Sequence, residues 1–184
     1  KDTTKYMDNY NILKASRGLI SFIDELSTWY LRRSRDRLRD QFNPSQEVFG
    51  FVLIKIAQLF VPITPFFSET MWHNLVNENS SVHHSDWPQA DTKAIDKSLE
   101  EQIDIIRKVV EKSHALRSEA GIKVRQPLEE ITCYVNLAEP TELILQVLAD
   151  EINVKKVNWH RTTESMRVIL NTKIDNDLKA EGEA

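Results

Sequence analysis

Residues Leu26–Arg39 read LSTWYLRRSRDRLR, five arginines in eight positions directly behind a Trp-Tyr pair. On an α-helix Arg32, Arg35 and Arg39 stand at i, i+3 and i+7 and share one face. Arg33 and Arg37, at i and i+4, lie on a neighbouring face one turn beyond Trp29. Cations stacked at that spacing repel one another unless something anionic crosses them, and Asp36 and Asp40 offset only part of the charge. A phosphate backbone fits such a row. The competing reading is a solvated face paired with the protein's own carboxylates.

The rest of the 184-residue chain constrains that partner. Its hydrophobic content of 41% and charged content of 28% belong to a globular protein with room for one ordinary core or two small ones. The formal net charge of −4 means that a nucleic-acid site must be a local patch. One cysteine, Cys133, excludes an internal disulfide and a Cys-rich zinc site. The longest apolar stretch, Phe49 to Phe67, is broken by Lys55, Gln58 and two prolines, so no membrane span is expected. The opening KDTTKYMDNY and the closing DLKAEGEA suggest a segment of something larger.

Working outward from the arginines, Tyr10, Leu13, Arg17, Ile20, Ile23 and Leu26 to Tyr30 form one amphipathic pattern running to Arg39. Gly18 within it marks a close helix–helix approach. QFNPSQE supplies a stop and a restart, with Asn43 as N-cap, Pro44 first in the helix and Gln46 at the capping-box position. The next helix, Pro44 to Val61, is apolar almost all round and is expected to be buried on most sides. Pro62 ends it, and Thr64-Pro65 opens another through Val76. Asn77 to Lys93 reads as a surface loop. A helix from Asp96 to Glu119 carries Leu99, Ile103, Ile106, Val110 and Leu116 on one stripe and stops at Ala120-Gly121. Beyond it the pattern changes: a strand at Ile131–Val135, a helix at Thr141–Ile152, and strands at Val154–Trp159 and Arg167–Leu170. The fold expected is therefore mainly α, a helical bundle over 1–121 with its first helix truncated, followed by a small α/β unit over 122–184.

No catalytic constellation is visible. The four glycines form no phosphate loop. His83-His84 lacks a third ligand, His73, His114 and His160 are scattered, and Cys133 reads as an inert core thiol. Neither a catalytic nor a metal site is expected.

Several stretches together resemble one family, the isoleucyl-tRNA synthetases. LSTWYLRRSRDRL is similar to its Trp-Tyr-x-Arg-Arg-Ser-Arg signature, and LFVPITPFFSETMWHNL to its apolar helix, Pro-x-Thr-Pro turn and following helix. SVHHSDWP, LRSEAGIKVRQPL, EINVKKVNW and LNTKIDNDLKAEG resemble further elements of that family in the same order, from Tyr6 to Gly182. The resemblance implies the tRNA anticodon-binding region of a class I synthetase and the start of its C-terminal junction. It implies a cytoplasmic parent enzyme that uses ATP and magnesium, with catalytic and editing domains elsewhere in the same chain. The segment itself is then expected to hold no cofactor, to catalyse nothing and to be monomeric unless its excision exposes apolar surface.

On this reading the partner is the anticodon stem-loop of tRNA(Ile). Arg32, Arg35 and Arg39 are the expected phosphate contacts, with Lys123 and Arg125 as helpers. Gln126 is placed to hydrogen-bond a base edge, and Arg33 is counted with the tRNA-binding residues, its other reading being to stack on Trp29 or pair internally. The alternative is a helical protein-interaction module whose arginines face an acidic partner.

Overall fold

The computed structural model describes residues 2–40 and 43–183. By its internal contacts the chain forms two compact units, residues 1–92 and 93–184. Helix 97–119 thus belongs with the sheet.

The first unit is helical. Helix α1 spans Asp2–Asp8 and α2 spans Ile12–Glu25. The expected single helix through Tyr10 is interrupted: Tyr10 takes a left-handed φ of 55° and is 92% exposed. Asn11 then starts α2 afresh, its Oδ1 accepting from the Lys14 amide at 3.1 Å. From Ile12 the chain is helical to Arg39 through a π-helical turn, Leu26–Leu31, and helix α3, Arg32–Arg39. Nothing lies within 4 Å of where a β-carbon at Gly18 would sit, so the close approach expected there is absent.

Gln41 and Phe42, part of the predicted stop, lie outside the described residues. Asn43 does cap, its Oδ1 accepting from the Ser45 amide at 3.0 Å. Gln46 does not close a capping box; its Nε2 donates to the Leu38 carbonyl of α3 at 2.7 Å. Helix α4, Ser45–Phe60, buries only Ile56, Ala57 and Gln58, while Val48 and Phe51 are exposed. The expectation of burial on most sides therefore fails within this unit. Helix α5, Pro65–Leu75, follows Pro62 as the proline spacing predicts. The expected surface loop is anchored. A 3-10 turn at Val82–His84 buries Val82, and the Glu69 carboxylate accepts from the Val82 amide at 2.9 Å and from Ser81 Oγ at 3.0 Å.

In the second unit α6 spans Lys97–Glu119, with Asp96 capping the Leu99 amide at 3.0 Å. Its buried stripe is Ile106, Val109, Val110, Ser113 and Arg117, whereas Leu99 is exposed. The stripe is thus turned by part of a residue from the expected one, because Val109 and Arg117 face inward. Gly121, at φ 66°, ends α6 in the left-handed cap, and the Ile122 amide donates back to the Arg117 carbonyl at 2.9 Å.

Strand β1 (Leu128–Val135) runs at the centre of a three-stranded sheet ordered β2-β1-β3, with β2 at Val154–Arg161 and β3 at Arg167–Leu170. Helix α7, Glu142–Ile152, is the crossover that makes β1 and β2 parallel, pairing Leu128 with Val154 and Cys133 with Trp159. Strand β3 returns antiparallel, Thr132 opposite Ile169. Ile131, Cys133 and Val135 alternate into a core shared with Leu145, Leu148 and Ile152 of α7. A last helix, α8, covers Asn176–Glu183 and buries Leu178.

Candidate nucleic-acid interface

A π turn precedes the arginine row. Thr28 Oγ1 donates to the Asp24 carbonyl at 2.6 Å, and Ser27 Oγ donates to the Ile23 and Asp24 carbonyls at 2.9 and 3.1 Å. These hydroxyls occupy acceptors that an α-helix reserves for the amides four residues on, so one extra residue is accommodated in the turn.

That extra residue changes which side chains face inward. Ala15 and Leu19 are buried, Ile23, Leu26 and Tyr30 half-buried, and the series continues through Ser34, which is 0% exposed, and half-buried Leu38. An uninterrupted α-helix would instead follow Leu26 and Tyr30 with Arg33 and Arg37. The π turn thus puts Ser34 and Leu38 inside and leaves Arg32, Arg35, Arg37 and Arg39 exposed. The Tyr30 ring stacks on Phe49 of α4 with centroids 6.2 Å apart, fixing the rotation of the helix.

Within the row, Arg32 Nε donates to the Thr28 carbonyl at 3.0 Å, and Arg32 and Arg33 each hold their Cζ 5.9 Å from the Trp29 ring. Trp29 is half-buried and already carries two guanidinium groups. Arg37 Nη2 donates to Ser34 Oγ at 2.9 Å. Arg39 lies 3.9 Å from Asp36, and both side chains are largely exposed, an ion pair of small energetic consequence. Arg32, Arg35 and Arg39 thus share an exposed face of α3.

In the second unit, Lys123 and Arg125 are exposed in the turn before β1. Gln126 is half-buried, and its Nε2 donates to the Leu178 carbonyl at 2.6 Å and the Pro127 carbonyl at 3.2 Å. Its Oε1 packs where a β-carbon on Gly182 would collide. The side-chain amide nitrogen named as a base reader thus fastens α8 to the start of β1.

Two residues to which the sequence alone assigns no role hold that turn. Arg117 is 1% exposed, and its guanidinium donates to the carbonyls of Lys123, Gln126, Ile152 and Asn153 at 3.1, 2.9, 2.6 and 3.0 Å. Desolvation lowers its pKa, and carbonyls at the α7 C-terminus, the negative end of that helix, stabilise the charge. Asn153, left-handed at φ 52°, donates from Nδ2 to the carbonyls of Val124 and Arg125 at 3.2 and 2.9 Å. LRSEAGIKVRQP gives no local signal for this, since the Lys123 and Gln126 carbonyls are main-chain atoms that no side-chain pattern marks, and the other contacts join residues about thirty positions apart.

Elsewhere the chemistry is quiet. Among the described residues no group of three or more His, Cys, Asp or Glu could hold a metal ion, and no helix is long and apolar enough to cross a membrane. His83 and His84 are exposed. Burial pushes the Cys133 thiol up to about 12, which keeps it protonated.

The class of module is a helical unit with an exposed arginine row and a small α/β unit. Residues 1–132 match the family described as the anticodon-binding domain of tRNA ligase, and the chain belongs to that family. It is 34% identical to an isoleucine–tRNA ligase of Dehalococcoides mccartyi (strain ATCC BAA-2266 / KCTC 15142 / 195) over 209 aligned residues, covering 100% of this chain and 21% of that protein. It is 35% identical to the isoleucine–tRNA ligase of Clostridium acetobutylicum, covering 86% of this chain and 16% of the relative. Against the isoleucine–tRNA ligase of Streptomyces avermitilis the identity is 35%, over 82% of this chain and 15% of that protein. The chain therefore spans about a sixth to a fifth of the length of these relatives.

Proposed function

We propose that the chain binds the anticodon arm of tRNA(Ile) within an isoleucine–tRNA ligase, holding the tRNA while a catalytic domain elsewhere in the longer protein aminoacylates it. Arg32, Arg35 and Arg39 neutralise phosphates of the arm; Lys123 and Arg125 assist. Gln126 has only its Oε1 left to reach a base. The observation that carries the reading is the exposure of those three arginines on one face of α3. Family membership and the shared relatives support the anticodon arm as the ligand.

We keep residues 1–121 as the bundle and 122–184 as the junction unit. The family match, which runs through α6 to residue 132, favours α6 as part of the bundle, whereas grouping by internal contacts puts α6 with the sheet. The parent works in the cytoplasm and uses ATP with magnesium in its catalytic domain. Exposed Ile12, Leu13, Ile20 and Phe22 on α2, beside buried Ala15 and Leu19, extend an apolar arc that other domains of that protein cover.

The test is competition on the 184-residue chain. A hairpin with the isoleucine anticodon should displace a labelled copy of itself better than a hairpin with an altered anticodon. Glutamine at Arg32, Arg35 and Arg39 together should weaken both while circular dichroism stays unchanged. A helical protein-interaction module would show neither anticodon preference nor RNA affinity.

A further inference from the structure

His160 stands alone in the sequence, but the sheet gives it neighbours. Ile131, Cys133 and Val135 are buried on one face of β1, so alternation puts Thr132 and Tyr134 on the other. The strand registers set His160 and Arg167 on either side of Tyr134, and Asn158 and Ile169 on either side of Thr132. Across the first of these rows the three side chains stack. The His160 and Tyr134 rings lie 5.1 Å apart at 24°, and the Arg167 Cζ stands 4.6 Å from the centre of the Tyr134 ring. Lys112 Nζ donates to the Met166 carbonyl at 2.8 Å, which holds the chain just before Arg167. Cross-strand stacking steadies a sheet, and that alone accounts for half-buried Tyr134. It does not account for the two ends. His160 and Arg167 are exposed on the edge strands, and among the described residues each has a ring contact with Tyr134 and no carboxylate partner. On the same face Lys156 is exposed, while the Glu130 carboxylate opposite it accepts from Asn158 Nδ2 at 2.9 Å. Lys156 and Arg167 against one engaged carboxylate leave this face positive in a chain of net charge −4.

We infer that this face of the sheet takes an unpaired RNA base, which stacks on the outer side of the His160 ring and lengthens the Arg167–Tyr134–His160 stack by one plane. A base has the flat π surface that continues such a stack, and the phosphates beside it suit Lys156 and Arg167. An acidic peptide would gain from the two cations but not from the imidazole. Tyr134 and Arg167 are positioning residues: they touch no ligand plane and hold the imidazole in line. Stacking accepts every base, so His160 adds affinity for an exposed base without choosing the anticodon. In assigning the base to tRNA, the inference rests on the proposed function.

The test records the His160 ring protons of the 184-residue chain in two titrations. One uses an anticodon hairpin, the other a short uridine strand with a single central adenine. Saturable upfield shifts, the signature of a ring stacked on the imidazole, are expected in both. An abasic position in place of the adenine should remove them from the second. His160→Ala should weaken binding of the adenine-bearing strand about tenfold while the β1 amide signals stay in place. His160→Phe, which keeps a ring and drops the imidazole nitrogens, should bind within about twofold of the parent chain. Equal losses in the two variants would mean that charge or hydrogen bonding, not stacking, holds the RNA, and would overturn the inference. So would a strand that leaves the His160 protons unmoved. Hairpin binding that survives His160→Ala, with shifts confined to α3, would overturn it and leave the arginine row standing. Strand-induced shifts at His160 without any hairpin binding would keep the stacking face and overturn the tRNA reading.

Discussion

The two units bury their apolar side chains to very different degrees. In the second, Ile106, Val109, Leu128, Ile131, Leu148 and Ile152 are fully enclosed by α6, α7 and the sheet. In the first, fewer apolar side chains are buried, Ala15, Leu19, Ile56, Ala57 and Val82, while Tyr10, Phe22, Phe51, Phe66 and Phe67 face outward. The α/β unit closes its own core. The helical unit has an arginine face on one helix and a wide apolar arc that this chain leaves open. The exposed arginine row and incomplete burial thus occur together in the first unit, while the second encloses its own core.

The sharpest way to break this comparison is to cut large side chains from each unit. Leu148→Ala should lower the stability of the second unit by about 2–5 kcal/mol, read as an earlier urea transition of its amide signals. Phe66→Ser in the first unit should shift its own transition by no more than about 0.5 kcal/mol. Equal losses would mean that exposure is a poor guide to how these units are held. Next in size, Arg117→Met strands four carbonyls that now accept from a cation and should cost about 3 kcal/mol, confined to the second unit. Gly121→Ala, placing a β-carbon at φ 66°, should cost about 1 kcal/mol by the same measurement.

A smaller effect separates the units by pH. Desolvation raises the Glu69 carboxyl, but hydrogen bonds from Ser81 and the Val82 amide, with His73 3.2 Å away, hold it below its ordinary range. Its native value lies below its unfolded one, so its contribution is full above the ordinary carboxylate range and is lost as pH falls through the depressed native value. The first unit should therefore lose more stability on acidification than a Glu69→Gln variant does. Smallest of all, Cys133 should resist alkylation in the folded chain and react only on unfolding; labelling under native conditions would contradict its burial.

Much of this was legible in the sequence where the signal is local. The α6 start at Asp96, the Gly121 stop, the βαβ order and the β3 limits all follow from caps, glycine and alternation within a few residues. The breaks in the first helix were not. Side-chain periodicity across Leu26–Arg39 fits an α-helix, and the π turn arises from Ser27 and Thr28 hydroxyls taking main-chain acceptors, which periodicity does not register. The burial expected of α4 was misjudged because an apolar helix says that cover is needed, not that the same unit provides it. For the candidate site, the exposure of Arg32, Arg35 and Arg39 could be foreseen from spacing. The roles of Arg117, Asn153 and Gln126 could not, since each is defined by carbonyls brought near only by the fold.

The central claim is that the exposed face of α3 carrying Arg32, Arg35 and Arg39 meets RNA, and the salt dependence of hairpin binding tests it most directly. Glutamine at Arg32, Arg35 and Arg39 should flatten the log–log slope by about 2, whereas glutamine at Arg33 and Arg37 should leave it nearly unchanged. The opposite pattern, with the slope carried by Arg33 and Arg37, would contradict the account.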